Sequence, residues 1–140
     1  MISDHLTPEV KDALLRGVTA IVATSSPDGV PNVAPKGTLR AVDDATLVYA
    51  ELHPGKTADN LARNPRVAVA VQDPETFSWY QIKGWAERET SGRYFREVCS
   101  DVAGLPIHLP RPQAAVVIHV EEVFALSPGR AQTLKVVGRG

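Results

Sequence analysis

Gly55, Lys56 and Thr57 form the densest knot of possible chemistry in this sequence. They stand between an apolar run that ends at Leu52 and a helix-compatible stretch, Ala58 to Arg63, closed by Asn64-Pro65. Thr57 is expected to cap that helix. The first N–H groups of a helix are unpaired and carry the positive end of its dipole. A glycine, a lysine and a hydroxyl at such a start make a seat for phosphate. A plain helix cap with a solvated lysine would explain these three residues equally well. A second set favours the ligand: Val33, Ala34, Pro35, Lys36, Gly37 and Thr38 repeat the lysine, glycine and hydroxyl on a strand-like segment. Pro31, Pro35 and Gly37 loosen a ladder there and free backbone groups for a ligand's polar edge.

Ala50 to Thr57 also fits a relaxed nucleotide-binding loop pattern, with Ala50 where the first glycine belongs. Pro54 argues against that loop, because it lacks an N–H that would wrap the phosphate. The helix that follows is short, and the chain is too rich in strands to build a parallel sheet around it. Other chemistry is sparse. His5, His53, His108 and His119 have no spacing that places two on one helix face, and Cys99 has no second cysteine, so no metal site is expected. His119 reads as a paired mid-strand residue, His108 as loop packing and Cys99 as a small core residue. Glu121, Glu122, Arg63 and Arg66 read as solvated charges, and no Ser-His-Asp arrangement is legible.

The elements that must position these groups can be read from periodicity and turn chemistry. Thr7-Pro8-Glu9 starts a helix that runs to about Arg16 and stops at Gly17. Strands are expected over Val18 to Thr24, Val30 to Ala41, Thr46 to Glu51, Arg66 to Gln72, Phe77 to Glu89 and Ala114 to Leu126. Gly84 marks a bulge within the fifth. Ser91 is expected to cap a helix to about Val102, with Tyr94, Phe95, Val98, Cys99 and Val102 on its apolar face. The short connections make the first three strands antiparallel neighbours, which pairs the second with the third. The sum is a mainly β, six-stranded antiparallel barrel with short helices, one domain over residues 1–126, followed by a tail, 127–140, without clear pattern.

The composition excludes several classes. At 140 residues the chain suits one domain. A net charge of −1 supplies no field to recruit nucleic acid or an anionic membrane. No apolar run approaches the ~20 residues of a membrane span. A single cysteine and a polar N-terminus without a signal-like apolar stretch lead to the expectation of a cytoplasmic protein.

Taken together, the PNVAPKG strand, the strand entering GKTADNLARNPRVA, and the glycine-bearing strand QIKGWAE resemble the FMN-binding split-barrel group. That group includes the pyridoxamine 5'-phosphate oxidase-related proteins and the small bacterial FMN-binding proteins, and the resemblance spans roughly Val18 to Val123. It implies a homodimer with FMN at the subunit interface. Lys56 and Thr57 would hold the FMN phosphate, with Lys36 or Thr38 opposite. Val33, Ala34, Pro35, Lys36 and Gly37 would run along the flavin and bond its pyrimidine edge through their backbone. Ala50, Glu51 and Leu52 would lie against the isoalloxazine, and His53 and Asn60 near the ribityl chain. Trp79 and Trp85 would cover the ring from the second subunit, unless they are ordinary core or interface tryptophans.

The implied activity is an FMN-dependent oxidoreductase that passes hydride or electrons from a donor such as reduced nicotinamide to a small acceptor. A non-catalytic flavin carrier is the alternative of another class, and related barrels use F420 or haem in place of FMN. True pyridoxamine 5'-phosphate oxidases carry a C-terminal segment rich in Arg, Trp and His, which VVGRG does not match, so pyridoxal phosphate synthesis is not expected.

Overall fold

The structure, a computed structural model, describes residues 6–16, 19–126 and 134–138, the last group as backbone only. Its elements follow from local pattern. Thr7 Oγ1 accepts a hydrogen bond from the Val10 N–H at 3.4 Å and opens helix α1, Pro8–Leu15, with proline in its first turn. Gly17 and Val18 lie outside the described residues. Strand β1 is Ala20–Ser25 and β5 is Arg66–Gln72, both alternating between inward valine or threonine and half-exposed residues. Strand β6, Trp79–Glu89, alternates in the same way and pairs along its length with β7, Ala114–Leu126.

The expected second strand divides. Pro31–Lys36 is β2 and Arg40–Asp43 is β3, separated by a turn in which the Leu39 N–H donates to the Lys36 carbonyl at 3.2 Å. The two halves then part. Strand β2 pairs with β1, while β3 pairs with β4, Thr46–Glu51. The expected pairing with the third strand therefore holds only for the second half of the segment. The turn drives buried Leu39 into the core, and this carries the chain from one end of the sheet to the other. Within the tail, Leu134–Gly138 forms β8 against β7. The sheet thus has eight strands rather than six, all pairings antiparallel, in the order β2-β1-β5-β6-β7-β4-β3 with β8 added at β7. The fold is a mainly β antiparallel split barrel.

The bulge at Gly84 has a steric cause. The β6–β7 register shifts between Lys83 and Gly84, and a Cβ at Gly84 would lie 2.0 Å from the His119 carbonyl oxygen. Only glycine allows that approach.

Two apolar clusters hold the structure. The barrel interior contains Val22, Leu47, Tyr49, Val69, Ile82 and Ile118, with α1 contributing Val10. A second cluster lies between β4, β7 and helix α3, Arg93–Ala103, and joins Val48, Ala50 and Val117 to Val98 and Val102. Strand β4 is therefore buried on both faces. Of the expected α3 face, Val98 and Val102 are buried, Tyr94 and Phe95 are partly buried, and Cys99 is intermediate. The helix is capped by Gly92 at φ 91°, not by Ser91, and has no side-chain cap bond. Among the described residues no helix is long and apolar enough to cross a membrane.

Candidate functional site

Helix α2, Lys56–Arg63, begins two residues earlier than the sequence suggests. Gly55 is its N-cap, no side chain bonds its first N–H groups, and Thr57 stands at the second helical position. Thr57 is not a cap. It is 7% exposed, and its Oγ1 accepts a hydrogen bond from Asn32 Nδ2 of β2 at 3.3 Å. Two further amides fix the helix. Buried Asn60 donates from Nδ2 to Thr24 Oγ1 at 3.1 Å, and Asn64 Nδ2 donates to the Ser25 carbonyl at 3.3 Å. These polar ties hold the uncapped start of α2 against the β1–β2 edge.

The result is a cavity of about 250 Å³ between β2, β4 and the start of α2. From β2 come Asn32, Val33, Ala34 and Lys36; from β4, Tyr49 and Glu51. His53, Gly55, Lys56, Thr57 and Ala58 close it. Strand alternation sorts β4: Tyr49 and Glu51 reach the cavity, whereas Ala50 and Leu52 pack toward α3.

Lys36 Nζ stands 5.3 Å from the centre of the Tyr49 ring, within cation–π range. Tyr49 is 2% exposed; burial, and secondarily the charge of Glu51, push its phenol well above the ordinary value, so it stays a neutral donor. Glu51 is also buried, and Arg88 of β6 grips it: Nε donates to Oε1 at 3.2 Å and to Oε2 at 3.0 Å, and Nη2 donates to Oε2 at 2.6 Å. That hydrogen bonding raises the Arg88 pKa. On the β1–β2 turn, Asp28 is held below the usual carboxylate range. The Ser26 hydroxyl contributes most, then a backbone N–H, with a smaller contribution from the charge of Lys56.

The remaining expected residues lie elsewhere in the fold. Thr38 Oγ1 accepts from the Ala50 N–H at 2.9 Å, so of Lys36 and Thr38 it is Lys36 that lines the cavity. Pro35 pairs with Ile21 in the ladder, Gly37 lies in the turn, and Asn60 is used inside the α2 seam. Trp79 and Trp85 stand on the outward face of β6 and do not line the cavity. Trp79 borders an apolar hollow with Phe124 and Leu126. Trp85 stacks on His119 at 4.1 Å, and His119 Nε2 lies 3.0 Å from Glu87 Oε2.

A larger hollow, about 490 Å³, also lies on the outer sheet face, beside Ala68 and Gly84. Its charges are already engaged: Arg66 pairs with Glu121 at 2.6 Å, and Lys83 lies over the Phe124 ring. The smaller cavity, with two lysines and a helix start, is the better candidate for a ligand. Sequence reasoning missed Asn32, Tyr49 and Arg88. Period-two alternation from Glu51 would have found Tyr49; no local signal joins Arg88 to a residue so distant in the chain.

Comparison with known proteins agrees with this architecture. An uncharacterized protein of Methanocaldococcus jannaschii is 32% identical over 126 residues, which cover 89% of this chain and 83% of the relative. The crystal structure of HupZ from Group A Streptococcus is similar at 32% identity and a TM-score of 0.79, covering 96% of this chain and 99% of that one. A candidate pyridoxamine 5'-phosphate oxidase of Lactobacillus delbrueckii shows 28% identity and a TM-score of 0.71, over 89% of this chain and 99% of its own. The profile for pyridoxamine 5'-phosphate oxidase matches residues 6–127, and with the split-barrel fold and these relatives it establishes that the chain belongs to the pyridoxamine 5'-phosphate oxidase family.

Proposed function

We propose that the cavity between β2, β4 and α2 binds the phosphate end of FMN, and that the protein works as a flavoprotein of the oxidoreductase type. The observation that carries this reading is the convergence of Lys36, Lys56 and an uncapped helix start on one small cavity. Two ammonium groups and free N–H donors suit a phosphate dianion, for which charge-assisted hydrogen bonds contribute roughly 1.5–3 kcal/mol each. Among the described residues strand β2 ends the sheet order, so its outer edge has backbone groups without ladder partners there. Val33 and Ala34 of that strand line the cavity, where a planar heterocycle's polar edge can bond to the backbone. The donor set therefore fits the cofactor.

When bound, FMN supplies hydride or electron transfer between a donor and a small acceptor. The chain's own work is to neutralise the phosphate with Lys56 and Lys36 and to orient the ring along β2. A second copy of the chain completes the site in this reading. Support comes from the outward face, where Val33 is 67% exposed, Trp79 41%, Trp85 36% and Leu126 44%. A face with so much apolar area suits burial against a partner.

The test is an absorbance spectrum of the protein after addition of FMN and desalting. Retention of about one flavin per chain is the expected result, flavins being chromophores in their own right. Complete loss of flavin on desalting, with no saturable binding in titration, would overturn the reading. Retained flavin that NADH or NADPH bleaches and an acceptor restores marks an enzyme; bleaching by dithionite alone marks a carrier.

A further inference from the structure

Glu51 carries the wrong charge for an anion seat. Among the described residues it is the one carboxylate on the cavity wall, 4% exposed, on the same wall as Lys36 and Lys56. A buried carboxylate beside two ammonium groups would ordinarily draw one of them into an ion pair, since an unpaired buried charge is costly. That lysine would then be lost to a ligand. Instead Glu51 is taken by Arg88, which reaches it from β6 and engages both oxygens through three contacts of 2.6–3.2 Å. Among the described residues Arg88, and neither lysine, is within ion-pair distance of Glu51.

Arg88 itself does not line the cavity. It borders a separate hollow behind Glu51, with Leu61, Ala62 and Val116. The guanidinium fork matches a carboxylate in two-point geometry that an ammonium cannot copy, so Arg88 outcompetes the lysines by shape as well as charge.

We propose that Arg88 is a positioning residue for this cavity: by holding Glu51, it keeps Lys36 and Lys56 available to a phosphate-bearing ligand. The inference rests on the anion-binding reading given above but not on the identity of the flavin. Remove Arg88, and Glu51 turns to the lysines. Remove the Glu51 charge as well, and the need for Arg88 disappears.

The experiment measures affinity for two probes, FMN and inorganic phosphate, in the wild-type protein and in Arg88→Met, Glu51→Gln and the double variant. Arg88→Met is expected to weaken both probes about tenfold or more, the scale of one added charge competing near a protein surface. The double variant is expected to return to within about threefold of wild type, because the competing charge is gone. Glu51→Gln alone is expected to bind phosphate at least as tightly as wild type. Relief of an unpaired buried charge would rescue stability as well, so melting temperatures are measured alongside; a loss of affinity that persists well below the melting transition is one a merely structural Arg88 would not give. Equal weakening in Arg88→Met and the double variant overturns the proposal, as does unchanged affinity in Arg88→Met. Should Arg88→Met fail to fold, Glu51→Gln decides: tenfold weaker phosphate binding there overturns the proposal. Phosphate binding without FMN binding would sink the flavin reading and leave this one intact; binding of neither would sink both.

Discussion

Of the three described helices, α2 and α3 pack on this sheet with different balances of apolar and polar contact. Helix α3 docks through Val98 and Val102 onto Val48, Ala50 and Val117, a seam closed by apolar area, with the Arg40–Asp101 ion pair beside it. Helix α2 sets only Leu61 against the barrel core and is fixed mainly by three amides, Asn32, Asn60 and Asn64, with Thr57, Thr24 and the Ser25 carbonyl as partners. Apolar burial has no direction and fills space, at about 25 cal/mol per Å². Hydrogen bonds fix an orientation while leaving gaps where polar groups face a ligand. The α3 seam is closed, and the cavity lies against the α2 seam. The candidate site thus lies where the packing is most polar.

Substitutions can break that contrast. The largest effect expected is on ligand affinity at the polar seam: Lys56→Ala should weaken FMN about ten- to a hundredfold, the loss of a charge-assisted phosphate contact, with little change in melting temperature. Titration of flavin fluorescence checks it, and an unchanged dissociation constant would remove Lys56 from the seat. Next comes Val98→Ala in the apolar seam. It should lower stability by about 1–3 kcal/mol in denaturant unfolding while leaving the FMN affinity of the folded protein unchanged. A parallel loss of affinity would show that the two seams are coupled.

Asn60→Ala should do both on a smaller scale. Loss of its bond to Thr24 should cost about 1 kcal/mol of stability and weaken FMN a few-fold by loosening the start of α2. Wild-type affinity in this variant would mean that the other two amides suffice. The smallest effect is on pH. Tyr49 has a folded-state pKa raised by burial, so its contribution is complete below the unfolded value of about 10 and is lost as pH rises through that value toward the folded one. Stability should fall across that alkaline window, and Tyr49→Phe should remove that part of the fall. An identical pH profile in Tyr49→Phe would place the alkaline loss elsewhere.

Much of this was legible locally. The α1 start at Thr7-Pro8, the alternation of β5 and β6 and the Gly84 bulge each follow from a few adjacent residues. Lys36 and Lys56 belong to segments whose residue types suit an anion, but that both line one cavity was decided by the tertiary structure. The caps were less legible: Thr57 and Ser91 have good cap chemistry, yet glycine takes both cap positions. Thr57 lies inside the helix instead, and its hydroxyl accepts a hydrogen bond from Asn32 of another element. Ala50 and Leu52 share a run with Glu51, but alternation turns them toward α3.

What the sequence determined by itself was the identity and order of the long elements and the residue types of a basic helix start, because backbone propensity and side-chain periodicity act over a few residues. What tertiary structure alone decided was which of these pieces meet. It divided residues 30–41 between β2 and β3 at opposite ends of the sheet, gave the cavity Lys36 in place of Thr38, and brought Arg88 to Glu51. The physical reason is that those pairings are set by burial of Leu39, by a bidentate ion pair and by ladder register. Each joins residues far apart in the chain, and none leaves a mark in the local pattern of either partner.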